Sequence, residues 1–160
     1  DNIVPADSDL RIIEKNGIQI GFLGFSDVGP KWLNFSIDES FGKIIKEASE
    51  KVDILVVSIH WGEAYQKQHN QRQEELGHLA IDNGAKIVIG HHPHVIQDVE
   101  KFKEGIIAYS LGNFIFDQPF SGETMEGSAL KIIVSGNGEI KSSDEKRVKI
   151  NNFYQPEMAE

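Results

Sequence analysis

Two periods of apolar residues mark the first elements of the chain. In "LRIIEKNGIQIGFLGF" (residues 10–25), alternating apolar positions flank Asn16-Gly17, the pair best able to adopt the positive φ angles of a type I′ turn. This pattern predicts a β-hairpin. In "SIDESFGKIIKEASEK" (36–51), the apolar residues recur at helical spacing, which predicts a helix with Ser36 or Asp38 as its N-cap.

The next third of the chain predicts a strand, a helix and a strand. "VDILVVSIH" (52–60) and "AKIVIG" (85–90) are nearly continuous apolar runs, which are typical of strands covered on both faces. Between them, "NQRQEELGHLAIDNG" (70–84) carries one apolar stripe and ends in Asn83-Gly84, a predicted C-cap. This order favours a right-handed parallel crossover.

The pattern then changes to antiparallel elements. One hairpin is predicted to turn near Glu104-Gly105 and another at 136–138, while the tail "NNFYQPEMAE" looks irregular. Parallel α/β units followed by hairpins indicate an α/β protein with a mixed sheet or two stacked sheets and helices outside. At 160 residues, the chain is expected to form a single domain, residues 1–160.

Composition narrows the classes of function. A formal net charge of -9 argues against a nucleic-acid partner, which would need a basic face. The absence of cysteine means that any metal must be held by nitrogen or oxygen ligands. The longest apolar run is too short to span a bilayer, and the first residues, "DNIVPADSD", lack an initiator Met and a signal-peptide pattern. We therefore expect a processed or truncated chain, with any membrane attachment through an upstream segment.

The six histidines are clustered in sequence. His60 ends one predicted strand, and the "GHHPH" segment, with His91, His92 and His94, follows the next. Because the carboxyl ends of parallel strands share one edge of a sheet, these side chains should converge there. Pro93 biases the residue before it toward extended geometry, which would let His92 and His94 address one point. We predict metal ligation by at least two of these histidines, against the alternative of separate structural histidines.

Other polar residues carry more open interpretations. His69 and His78 flank or lie in the predicted helix, where a surface or core role is favoured. Trp61 is either a pocket wall or a core residue, and Glu63 is slightly favoured as a solvated side chain. Asn113, in "YSLGNFIFDQ", is either a turn residue or an amide directed toward a phosphate or a metal-bound water.

Three motifs taken together carry a family resemblance. "SIHWGEAY", "AIDNGAKIVIGHHPHVIQDVE" and "IIAYSLGNFIFDQ", in this order and spacing, resemble the bacterial capsule-synthesis family associated with poly-γ-glutamate (the CapA/PgsA type). That family is similar in fold to the calcineurin-like metallophosphoesterases. The resemblance runs from about residue 18 to 133 and is to the C-terminal half only, since the Asp-rich strand and the Asn-Asn-His segment of the family's N-terminal half have no counterpart here.

The resemblance implies a part of a four-layer α/β/β/α sandwich with mixed sheets and a divalent metal ion (Mn, Zn or Fe) at the strand ends. His60, His92 and His94 match the family's metal-site histidines, and His92 and Asn113 are the implied catalytic residues. His91 is a neighbour without an assigned role. The family often has Glu at the position of Ala64, whereas in this chain the glutamate, Glu63, lies one place earlier. No carboxylate role is therefore assigned to Glu63.

The resemblance also sets the expected functions. The first is metal-assisted hydrolysis or transfer at a phosphoester or an amide-type bond in envelope polymer metabolism, with a small-molecule or polymer substrate such as poly-γ-glutamate. The alternative is a non-catalytic accessory or binding component of polymer synthesis or export. Either one places the protein at the cell envelope or its extracellular face. A histidine-rich metal-storage module is a third, less favoured interpretation, because such tracts are usually low in complexity.

Overall fold

A computed structural model describes residues 10–29 and 37–159, which form an α/β fold of two sheets and two helices. The strands are β1 (Arg11–Lys15), β2 (Ile18–Ser26), β3 (Ile54–His60), β4 (Ile87–His91), β5 (Val99–Phe102), β6 (Gly105–Ala108), β7 (Glu126–Val134), β8 (Ile140–Ile150) and β9 (Pro156–Met158). The two helices are α1 (Phe41–Ser49) and α2 (Gln71–Asp82), and a separate 3-10 turn spans Glu123–Met125.

The larger sheet is mixed and has six strands in the order β1-β2-β3-β4-β6-β5. Strands β2, β3, β4 and β6 are parallel, and β1 and β5 are antiparallel at the two edges. Helix α2 connects β3 to β4, as the predicted crossover requires. The hairpins predicted at Asn16-Gly17 and near Glu104-Gly105 are also confirmed. Asn16 and Gly17 have φ angles of 53° and 78°, as a type I′ turn requires.

The core lies on both faces of this sheet. On one face, both helices pack on strand residues that are closed to solvent, including Val57, Val88 and Ile107. On the other face, Ile132, Val134 and Ile140 of the β7–β8 hairpin cover a second apolar group. The described residues therefore form three layers, helix, sheet and sheet, so the predicted stacked sheets are confirmed. A second helical layer of the expected four-layer sandwich is not among them.

Two local predictions are corrected. Helix α1 begins at Phe41 with Ser40, not Asp38, at the N-cap, because the Asp38 carboxylate instead accepts hydrogen bonds from Ser40 N and Oγ, at 2.8 and 2.6 Å. The alternative cap, Ser36, lies outside the described residues. The tail is not irregular, because β9 pairs antiparallel with β8. The Asn151 side chain builds the intervening turn by accepting from Phe153 N and Gln155 N.

The start of α2 offers a test of the helix. Asn70 and Gln73 form a capping box in which the Asn70 side chain accepts from Gln73 N and the Gln73 side chain accepts from Asn70 N, both at 3.0 Å. We expect Asn70→Ala to lower the free energy of unfolding by about 1 kcal/mol, because a backbone N–H loses its partner. Urea unfolding measures the change. Asn70→Ser should retain most of the stability, and an Ala variant as stable as the wild type would contradict the prediction.

Candidate functional site

The site lies where parallel strands of the larger sheet end. His60 is the last residue of β3 and His91 the last residue of β4, and the two are paired in register. His92 and His94 follow directly in the connection to β5. The predicted meeting of the two strand ends at one sheet edge is therefore confirmed.

Three imidazoles are neighbours at this edge. The ring centroids of His60 and His92 are 4.7 Å apart, and those of His92 and His94 are 5.9 Å apart. We call these three residues the histidine cluster. Within residues 10–29 and 37–159, however, no three His, Asp or Glu side chains are arranged so that they could hold a metal ion. The cluster thus supplies the nitrogen donors that were predicted, and metal ligation stays a prediction.

The backbone that carries the cluster differs from the expected one. His92 has a φ of 100° and His94 a φ of 60°, so neither is extended, although Pro93 should favour extended geometry at His92. Left-handed backbone is strained for residues with a side chain and persists where surrounding contacts impose it. One such contact is the 2.7 Å hydrogen bond that Tyr65 N donates to Pro93 O. Tertiary contacts therefore determine where these two rings point.

The electrostatic environment favours the neutral forms of His60, His91 and His92. The pKa of His60 is lowered first by desolvation and then by repulsion from His92, His91 and His94. Desolvation and repulsion from His94 lower the pKa of His92, and desolvation lowers that of His91 even though its side chain still reaches solvent. Neutral imidazoles carry a free lone pair at neutral pH, which is the form that binds metals or accepts protons.

These shifts predict a pH dependence of stability in the metal-free chain. Because the pKa values of His60, His91 and His92 lie below the ordinary 6.5, the unfolded chain takes up protons more readily than the folded chain. The contribution of these three histidines to the free energy of unfolding is fully present above pH 6.5. It is lost as the pH falls from there toward their lowered pKa values. We expect the urea midpoint to decrease over this range, and to decrease less in His60→Asn. A midpoint that rises on acidification of the wild type, with no difference in the variant, would refute this.

A buried tryptophan, Trp61, packs directly behind the strand-end histidines. Trp61 has no exposed surface, and its Nε1 donates to Tyr109 O at 2.8 Å. Gly90, next to the histidines, allows this contact, because a Cβ there would lie 2.0 Å from Tyr109 O and 2.2 Å from Trp61 Nε1. Of the two interpretations for Trp61, the core residue is therefore confirmed. Glu63 is exposed, in line with the favoured interpretation.

Asn113 is buried beside the cluster. Its Oδ1 lies 3.0 Å from His94 Nδ1, and its Nδ2 donates to Thr124 O at 2.9 Å and to Gln118 Oε1 at 3.3 Å. The amide thus contacts a histidine of the cluster and not open solvent. Tyr65 also neighbours the cluster and stacks on His94, with ring centroids 5.9 Å apart.

Sequence reasoning missed these supporting residues. Gln118 ends a quoted motif but nothing there indicates its contacts, and no pattern marks Thr124, which lies in a stretch without periodicity. Tyr65 also stands inside a quoted motif, as an aromatic residue five positions after a strand-end histidine. Phe116 also approaches His94, with ring centroids 5.3 Å apart, so aromatic rings flank this imidazole.

Besides His91 at the end of β4, two further histidines lie outside the cluster. His78, in α2, stacks on Phe102 and contacts the Glu100 carboxylate at 3.0 Å. His69, just before α2, stacks on Tyr109 and lies 2.7 Å from Asp98. Both histidines connect the region of α2 to β5 and to Asp98, the residue just before β5. These contacts agree with the surface or core role favoured for them.

With this geometry in place, comparison with known proteins decides the family. Residues 5–118 match the family model described as "Bacterial capsule synthesis protein PGA_cap". The chain belongs to this family. It is 38% identical over 136 residues to "Capsule biosynthesis protein CapA" of Bacillus anthracis, and 38% identical over 132 residues to "PGA biosynthesis protein CapA" of Bacillus subtilis strain 168. Each match covers 77% of this chain but only 33% and 34% of the relatives, so the chain spans about a third of their length.

Solved structures agree on the fold. A "novel phosphatase" from Mycoplasma pneumoniae superimposes with a TM-score of 0.64 at 14% identity, over 91% of this chain and 59% of that one. A "5'-nucleotidase precursor" from Thermus thermophilus superimposes with a TM-score of 0.55 at 16% identity, over 92% and 31%. At these identities the likeness concerns the fold alone, so the chain is structurally similar to these phosphoesterase-like proteins.

Family membership also bears on location. The family is associated with the capsule and therefore with the cell envelope. In the part of the chain that the structure describes, neither helix is long and apolar enough to cross a bilayer.

Proposed function

We propose that this chain is the histidine-bearing part of a metal-dependent hydrolase or transferase that acts on a phosphoester or an amide-type bond in capsule polymer metabolism, outside the cell membrane. The observation that carries the proposal is the group of three adjacent imidazoles at the strand ends of a phosphoesterase-like fold. The polymer in question is poly-γ-glutamate, on the basis of the family.

The donor chemistry fits a divalent ion only in part. His60, His92 and His94 supply imidazoles of the kind that Mn, Zn or Fe accept, but the three-donor arrangement is incomplete within the described residues. We propose that the longer protein supplies the missing ligands. When bound, the ion would polarise the scissile group and lower the pKa of a water.

The chain's own residues then have separate roles. His92, whose ring neighbours those of both His60 and His94, would hold or pass a proton at a ring nitrogen. Asn113 acts through His94, since its amide nitrogen already donates to Thr124 and Gln118. Trp61 and Gly90 keep the strand ends at the spacing that the cluster needs.

The test uses the purified full-length protein. With added Mn²⁺, we expect hydrolysis of a generic phosphodiester such as bis(p-nitrophenyl) phosphate, and loss of that activity on removal of metal with EDTA. Restored activity on adding Mn²⁺ back separates metal loss from unfolding. Metal-independent turnover, or none toward either phosphoesters or oligo-γ-glutamate, would refute the enzymatic proposal.

The incomplete donor set also favours a second candidate, an accessory component that binds the polymer without cleaving it. A net charge of -9 would repel a polyanion, so such binding should need a divalent ion as a bridge. Isothermal titration of the full-length protein with oligo-γ-glutamate, with and without Mn²⁺, separates the two. Metal-dependent binding without turnover supports the accessory role.

A further inference from the structure

The loop formed by residues 113–125 directs its contacts toward one imidazole, that of His94. Asn113, at the start of the loop, contacts His94 Nδ1 through its amide oxygen. Gln118, in the middle, donates from Nε2 to the Tyr65 hydroxyl at 3.2 Å, and the Tyr65 ring stacks on His94. Two paths from one loop, linked by the hydrogen bond from Asn113 Nδ2 to Gln118 Oε1, therefore end on the same ring.

Thr124 holds this loop together. It has no exposed surface, and its hydroxyl contacts the carbonyl oxygens of Gln118 and Ser121 at 2.5 and 3.0 Å. Its backbone N–H donates to Ser121 Oγ at 3.2 Å. A buried hydroxyl in contact with two carbonyl groups fixes the position of its own residue, and so the Thr124 carbonyl oxygen stays in one place.

That carbonyl determines the orientation of the Asn113 amide. A backbone carbonyl can only accept, so the group 2.9 Å from Thr124 O must be the Asn113 NH₂. The reversed amide would place two acceptor oxygens in contact. The Asn113 oxygen is consequently the atom that faces His94.

The same logic continues to the imidazole. An amide oxygen 3.0 Å from His94 Nδ1 needs a donor, so Nδ1 carries the hydrogen. In the neutral ring, the lone pair then resides on Nε2. The partner of one ring nitrogen thereby sets the role of the other, as it does for histidines that bind metals.

We infer that Thr124 is a positioning residue that, through Asn113, fixes His94 in the tautomer with its hydrogen on Nδ1. His94 therefore presents Nε2 as its free nitrogen. The inference rests on the proposed function only in taking a divalent metal ion as the partner of Nε2. The tautomer itself is a property of the metal-free chain. Thr124 is thus tied to the site without touching the histidine cluster.

The experiment reads the tautomer directly by long-range ¹H–¹⁵N correlation NMR of the ¹⁵N-labelled, metal-free chain at about pH 8, where histidine is neutral. We expect His94 to show the Nδ1–H pattern in the wild type. Thr124→Val, which keeps the shape but removes the hydroxyl, should give a mixture of tautomers, whereas Thr124→Ser should retain the wild-type pattern. A wild-type ring protonated on Nε2 overturns the inference even if the Val variant does not fold, and an unchanged tautomer in a folded Val variant overturns the role of Thr124.

A second measurement connects the loop to the site. In the full-length protein, Thr124→Val should weaken Mn²⁺ affinity about tenfold, on the scale of losing an outer-shell partner, and Thr124→Ser should not. If the full-length protein binds no Mn²⁺ at all, the proposed function fails, while the tautomer result stands. The two failures are therefore distinguishable.

Discussion

His92→Ala in the full-length protein is expected to abolish Mn²⁺-dependent phosphodiester hydrolysis, with a loss of at least about a hundredfold, the scale of removing one preorganised group from an active site. The His92 ring is the neighbour of both His60 and His94, so its removal breaks the cluster into two separated imidazoles. Initial rates at saturating Mn²⁺ measure the effect.

The matched control is another histidine of the same chain. His69→Gln removes an imidazole that pairs with Asp98, outside the histidine cluster, and should leave most of the rate intact. Circular dichroism of both variants confirms that they fold. If His92→Ala folds and keeps wild-type turnover, or if His69→Gln loses as much as His92→Ala does, the histidine cluster is not the reacting centre.

Gly90→Ala is expected to be the most destabilising Gly→Ala change in the larger, six-stranded sheet, lowering the free energy of unfolding by about 3 kcal/mol or more. The added Cβ would overlap Tyr109 O and Trp61 Nε1, which are hydrogen-bonded to each other at 2.8 Å. The methyl group therefore forces the strands apart and breaks a buried hydrogen bond at the same time. Urea unfolding gives the value.

Gly24→Ala in β2 is the matched control for this overlap. The same Cβ there has no atom within 4 Å, so we expect stability within about 1 kcal/mol of the wild type, because loss of backbone freedom in the unfolded chain is then the main effect. Equal stability of the two variants would show that the contact between Trp61 and Tyr109 adjusts freely, and would remove the proposed support beneath the site.

The elements that sequence predicted well are those whose cause is local. The turn at Asn16-Gly17, the strand ending in His60 and the C-cap at Asn83-Gly84 each depend on neighbouring residues in the chain. The meeting of two strand ends followed from the rule for parallel sheets, which needs only the order of the elements. For these reasons the place of the histidine cluster was predictable.

The parts that were not predicted depend on distant contacts. The positive φ angles of His92 and His94 oppose the bias from Pro93, and a hydrogen bond from Tyr65 helps to hold that loop. Thr124 lies eleven positions after Asn113 with no signal of its burial, and β9 forms only because β8 offers it a partner. In each case the fold brings the two partners together, and no local pattern in the sequence indicates that they meet.

Strand β1 has a consequence for handling the isolated chain. All five of its residues are exposed, with Ile12 at 46% and Ile13 at 53%, and no strand within the described ranges pairs along its outer edge. Unpaired backbone groups beside apolar side chains are a template for edge-to-edge aggregation, which Arg11 and Lys15 oppose by charge repulsion. Concentrated samples should therefore be most prone to fibrillar association in high salt, where that repulsion is screened.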